Sequence, residues 1–131
     1  MPLRILVVDD FAPWRESVRS LLKIHAELRV VGEVADGLEA VQKTSELKPD
    51  LILLDIGLPS LNGIEAAKQI RRAVPGTKIL FLTLNSDADM VRAALNTGAR
   101  GYVLKKDAGS ELWPAIEAAL RSDQFVSSGL V

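Results

Sequence analysis

Short aliphatic runs recur along the chain: ILVV at 5–8, VVGEV at 30–34, LILL at 51–54, KILFL at 78–82 and GYVL at 101–104. Three of them are near-continuous, the pattern of strands covered on both faces, where an exposed antiparallel sheet would alternate. Between the runs, apolar residues return at helical spacing. Trp14, Val18, Leu21, Leu22 and His25 follow the first run, and Leu38, Val41 and Leu47 follow the second. Ile64, Ala67 and Ile70 follow the third, with Lys68, Arg71 and Arg72 available for a solvated face. Met90, Val91, Ala94 and Leu95 follow the fourth, and Leu112, Ile116, Ala119 and Leu120 the last. Asp10 is placed to cap the first helix, with Pro13 tolerated in its first turn. Asp36-Gly37 and Pro75-Gly76 read as turns, and Gly98 suits a helix C-terminus. A strand–helix unit occurring five times predicts one α/β domain: a five-stranded parallel sheet, right-handed crossovers and helices on both faces. Helical periodicity stops after about Ser122. The domain is therefore expected over 1–122, with 123–131 as the start of a linker or a truncated tail.

Composition narrows the function classes. At 131 residues the chain is most simply a single domain. Its 16 basic and 17 acidic residues leave a net charge of -1, which makes no whole-chain case for nucleic acid or a membrane surface. With no cysteine, disulfides, thiol catalysis and thiolate metal sites are excluded. The N-terminus, MPLRILVVDD, lacks the apolar stretch of a secretory signal, and no run approaches a membrane span. The default location is the cytoplasm, with no membrane partner.

Ligands of open α/β sheets bind outside the carboxyl ends of the strands. Strand one ends in Asp9-Asp10, strand three in Asp55, strand four in Thr83 and strand five in Lys105-Lys106. Taken singly, each has an ordinary reading: a helix cap, a turn former before Pro59, a strand-end threonine, a solvated lysine. Their coincidence at the ends of four strands favours a site. Clustered carboxylates repel unless a cation intervenes, and the ligands on offer are all oxygen, which favours Mg²⁺. Asp55, at the end of the central buried strand, is best held to act as a nucleophile toward phosphorus. Thr83 is placed to hydrogen-bond a phosphoryl oxygen and Lys105 to pair with its charge. The competing class, a small α/β enzyme or nucleotide-binding protein, lacks its signatures. DDFAPWR after strand one has no glycine for a phosphate loop, and there is neither a G-x-S-x-G elbow nor a histidine placed as general base.

LVVDD (6–10), LLDIGLPSLNG (53–63), the Thr83 strand end and GYVLKKDA (101–108), in this order and spacing, resemble the receiver domain of two-component response regulators. HAELRVVGEVADGLEAV (25–41) and GARGYVLKKDAGSELWPAI (98–116) are most similar to the subgroup that precedes a LuxR-type helix-turn-helix. The resemblance implies the flavodoxin-like fold of the chemotaxis receivers and phosphorylation of Asp55 from the phosphohistidine of a sensor histidine kinase. It implies Mg²⁺ held by Asp10 and Asp55, with Asp9 assisting and Gly57 lending its carbonyl. Thr83 and Lys105 would hold the phosphoryl group, and Thr83 and Tyr102 would move together as a switch. It further implies a possible homodimer, and contact with DNA only through a C-terminal domain beyond this chain. A receiver catalyses its own phosphorylation and hydrolysis and is otherwise no enzyme. A stand-alone adaptor, a phosphorelay intermediate or a degenerate receiver are the alternatives. Leu84, Gly57 and Lys106 depart from the family pattern. Leu84 replaces a small residue after Thr83 and is expected to narrow access to the phosphoryl group or obstruct the Thr83 shift. Gly57 and Asn85 occupy positions that bear on dephosphorylation, and Lys106 stands where chemotaxis receivers have Pro. Trp113, at the edge of the last helix's apolar stripe, is either a contact residue or a core tryptophan.

Overall fold

The computed structural model describes residues 2–130. Eleven main elements follow in order. They are β1 (Leu3–Val8), α1 (Ala12–Lys23), β2 (Leu28–Val34), α2 (Gly37–Leu47), β3 (Leu51–Leu54), α3 (Gly63–Ala73), β4 (Lys78–Thr83), α4 (Ala88–Asn96), β5 (Gly101–Leu104), α5 (Ala108–Leu120) and β6 (Phe125–Val126). The strands form one sheet in the order β2-β1-β3-β4-β5-β6, and every pairing is parallel.

The near-continuous apolar runs reflect two cores, one on each face of the sheet. Because strand side chains alternate between faces, successive residues of one run serve different cores. Ile5, Val7, Leu51, Leu53, Leu80, Leu82 and Val103 pack with Val18 and Leu22 of α1 and with Leu112 and Ile116 of α5. Leu6, Val8, Ile52, Leu54, Ile79, Phe81, Tyr102 and Leu104 pack with Ala40 of α2, Ala67 and Ile70 of α3 and Ala94 of α4. All four residues of β3 are therefore buried. The helices turn inward the stripes that periodicity assigns, with two exceptions. Leu38 is exposed, and His25 falls beyond the end of α1.

Local chemistry sets the boundaries. Asp36 and Asn62 cap α2 and α3, accepting from the backbone N–H of Glu39 at 2.7 Å and of Glu65 at 3.0 Å. Gly98, at φ +94°, ends α4 in the left-handed region. Asp10 does not cap α1. Phe11 takes the cap position without a side-chain bond, and it is Asp9 Oδ1 that accepts from Phe11 N–H, at 2.9 Å. Asp10 stays exposed at the strand end instead.

The sheet has six strands, one more than the apolar runs predict. Phe125 and Val126 lie beside Gly101 and Tyr102. Ser127 N–H donates to Tyr102 O at 2.9 Å, and Ser127 Oγ accepts from Leu104 N–H at 2.9 Å. Ser128 N–H donates to Glu111 Oε2 at 3.1 Å, and Leu130 packs against the core that holds Tyr102. The segment over 123–131, expected as a linker or tail, thus carries a strap that covers the outer edge of β5. A strand of two residues is too short for periodicity to reveal.

Candidate functional site

Strand order reverses about β1 and β3: β2 lies outside β1, while β4, β5 and β6 continue beyond β3. At such a reversal the connections diverge and leave a crevice at the carboxyl ends. Register explains which side chains meet there. Val8 pairs with Leu54, so Asp9 and Asp55 occupy the next level of β1 and β3. Asp9 N–H continues the ladder to Val34 O at 3.1 Å, and Asp55 N–H to Val8 O at 3.1 Å. Both aspartates share the parity of Ile5, Val7, Leu51 and Leu53, and so does Lys105 with Val103. Three charged side chains from three strands accordingly lean to the α1 side of the edge. Thr83 has the opposite parity, that of Ile79 and Phe81, toward α4.

The distances follow. Lys105 Nζ lies 2.6 Å from Asp9 Oδ2 and 3.3 Å from Asp55 Oδ2. Asp55 Oδ1 accepts from Ile56 N–H at 2.8 Å, which fixes the carboxylate plane and leaves Oδ2 toward the lysine. Asp9, Asp10 and Asp55 each bring an oxygen within 4.8 Å of the others. Asp9 and Asp55 are buried and Asp10 is exposed. Buried Asp9 Oδ2 has the Lys105 ammonium, at 2.6 Å, as its partner among the described residues. Burial pushes the Asp9 carboxyl above the ordinary aspartate range, and the charge of Asp55 adds to this. Lys105 and the Phe11 N–H pull the other way without overcoming it. An all-oxygen, part-buried set of three carboxylates facing a single ammonium can hold a metal ion.

The cleft around these groups has a volume of about 840 Å³ and is also lined by Gly57, Thr83, Leu84 and Met90. Thr83 is buried, and its Oγ1 accepts from Asn85 N–H at 3.4 Å, a long contact. Tyr102 is buried, and its hydroxyl donates to Asn85 O at 2.6 Å, so Asn85 links the two. Gly57 is exposed, and a Cβ there would meet nothing. Leu84 is 77% exposed and sits at the rim, so it bounds the mouth of the cleft without filling it. Trp113 is half-buried and stacks on His25 with centroids 3.7 Å apart, a position between contact and core.

Some contributors escape a search of strand ends. Arg15 Nη1 donates to Asp9 O at 2.6 Å while its Nε donates to Glu33 Oε1 at 3.1 Å, and Arg19 pairs with the same glutamate. This clamp holds the Asp9-Asp10 turn from α1 and β2. Gly63 N–H donates to Ile56 O at 2.8 Å, and a Cβ on Gly63 would lie 2.0 Å from Asp55 O. Only glycine lets α3 start this close to the strand end. The final glycine of LPSLNG is the signal for that approach, although its distance to Asp55 is visible only in three dimensions.

Comparison with known proteins accords with this geometry. The family model for the response regulator receiver domain matches residues 5–117. The chain is similar to the transcriptional regulatory protein LiaR of Bacillus subtilis, 36% identical over 126 residues, covering 96% of this chain and 60% of LiaR. It spans about three fifths of the length of curated relatives such as LiaR and the response regulator protein VraR of Staphylococcus saprophyticus. Among solved structures it resembles a LuxR-family two-component response regulator from Aurantimonas sp., with TM-score 0.94, 35% identity and coverage of 99% of this chain and 93% of that one. It also resembles the isolated receiver domain of RcsB from Salmonella enterica serovar Typhimurium, solved with the phosphomimetic BeF3⁻, with TM-score 0.92, 25% identity and coverage of 99% and 96%. Fold, edge chemistry and these likenesses agree: the chain belongs to the response regulator receiver domain family.

Proposed function

We propose that Asp55 accepts a phosphoryl group from the phosphohistidine of a sensor histidine kinase in a Mg²⁺-dependent reaction. The observation that carries this reading is the meeting of Asp9, Asp10, Asp55 and Lys105 at one sheet edge, with Asp55 held by Ile56 N–H. An oxygen of the Asp55 carboxylate attacks phosphorus, the histidine N–P bond breaks, and the imidazole leaves with the electron pair and takes up a proton. Asp10 and Asp55 would hold the cation, with Asp9 assisting and Gly57 offering its carbonyl. When bound, the cation neutralises charge on the phosphoryl oxygens. Lys105 pairs with one of those oxygens and Thr83 hydrogen-bonds another, exchanging its long contact to Asn85. Tyr102, joined to the same Asn85, then follows, and the α4–β5 face changes with it.

The output reading rests on relatives. LiaR is a transcriptional regulatory protein of which this chain spans 60%. We read transcriptional control as the output, through a DNA-binding domain in the full protein and with a homodimer as the active form. No helix among the described residues is long and apolar enough to cross a membrane.

The test is incubation with Mg²⁺ and acetyl phosphate. A base-labile phosphoryl adduct is expected on the wild type and not on Asp55→Asn. An adduct of equal yield on Asp55→Asn would sink the assignment.

A further inference from the structure

Lys105 has a third neighbour besides the two aspartates. Its Nζ sits over the ring of Trp14, 5.3 Å from the centroid, inside the range at which an aromatic face attracts a cation. Trp14 stands in the first turn of α1, its N–H bonded to Phe11 O at 3.0 Å, and its ring packs on the core shared by α1 and α5. The shared parity of Asp9, Asp55 and Lys105 directs the ammonium toward this helix and not toward α4.

We propose that Trp14 is a positioning residue for Lys105. Its indole face holds the ammonium over the gap between Asp9 and Asp55, so the cation can leave Asp9 for an incoming phosphoryl group and keep its aromatic contact. The inference rests on Asp55 being the phosphoacceptor. An ammonium has three donors and a strong preference for water. Held only by the carboxylates, at 2.6 Å to Asp9 and 3.3 Å to Asp55, it would lose its shortest contact on moving to a phosphoryl oxygen. A π-face is loose in direction, so it lowers the cost of that movement while keeping the long side chain from swinging into solvent. A leucine in place of Trp14 would fill much of the same core and supply none of this.

Two measurements decide the matter. The chain has two tryptophans, so in a Trp113→Phe background, excited at the red edge where tyrosine does not absorb, Trp14 is the remaining tryptophan and the only emitter. Adding Lys105→Met to that background is expected to change Trp14 emission, and an unchanged spectrum would overturn the contact. With Mg²⁺ and acetyl phosphate, Trp14→Leu is expected to slow adduct formation by about three- to tenfold, while Trp14→Phe stays within about twofold of wild type. The Mg²⁺ concentration for half-maximal rate should be the same in all three. A Trp14→Leu rate equal to wild type overturns the proposal, and so does a Trp14→Phe protein as slow as Trp14→Leu, since packing alone would then explain the loss. If wild type forms no adduct, the Asp55 reading fails and Trp14's role in transfer falls with it, while the emission spectrum separately decides whether the ring holds the ammonium.

Discussion

Tyr102 is buried beneath α4 with its hydroxyl bonded to Asn85 O, and its surroundings alter its acidity. Burial first, then the negative charges of Asp55 and Asp87, push the phenol from 10.0 up to about 12. Between those values the unfolded chain loses the proton while the folded chain keeps it, so stability falls as pH rises through the window. Tyr102→Phe is expected to flatten that decline and to cost about 1 kcal/mol at neutral pH through the lost hydrogen bond. Denaturant melts of both proteins between neutral pH and pH 12 check this, and parallel curves would contradict it. Leu84 calls for the opposite pair of outcomes. Its exposure at the rim implies that Leu84→Ala changes stability by no more than about 0.5 kcal/mol. The same change uncovers the cleft mouth and should shorten the lifetime of the phosphoryl group. Equal formation and decay rates in the two proteins would remove Leu84 from the kinetic account.

Among the elements, β6 and the turn after it bear most directly on β5 and Tyr102. The strap bonds to Tyr102 O and to Leu104 N–H, and Ser127 makes both bonds while fully buried. Glu111 anchors the next residue. Burial raises its carboxyl, but the bond from Ser128 N–H to Oε2, with the side chains of Ser127 and Ser128 nearby, outweighs that and holds it below the ordinary glutamate range. Ser127→Ala leaves Leu104 N–H buried without its acceptor and should cost about 1–3 kcal/mol. Faster amide exchange over 125–130 in that variant would accompany the loss, and unchanged stability would show the strap to be incidental. The five longer strands were legible because covered parallel strands read as aliphatic runs. β6 was not, since Phe125 and Val126 show neither length nor alternation, and their place depends on an open edge of β5. The Asp10 cap misled for a related reason. Asp9 and Asp10 look alike in sequence, and only the register of β1 decides which one turns inward to Phe11 N–H.

For the whole molecule, the two cores and the strand reversal bring together residues up to 96 positions apart, Asp9 and Lys105, at one edge. Asp9, Asp10, Asp55, Thr83 and Lys105 were readable because each ends a strand, and strand ends in a parallel sheet share an edge. Trp14, Arg15 and Gly63 were not, since they reach the site through a helix face, an ion pair with Glu33 and a backbone approach. The central claim is that this edge makes one acyl phosphate, on Asp55. The most direct measurement is to load the protein with acetyl phosphate and Mg²⁺ and locate the adduct by peptide mass spectrometry at mildly acidic pH, with a parallel alkaline treatment. The account predicts a single phosphoryl group in the peptide carrying Asp55, released by alkali. An adduct on the peptide carrying Asp9 and Asp10, or one that survives alkali as a threonine ester at Thr83 would, would contradict it.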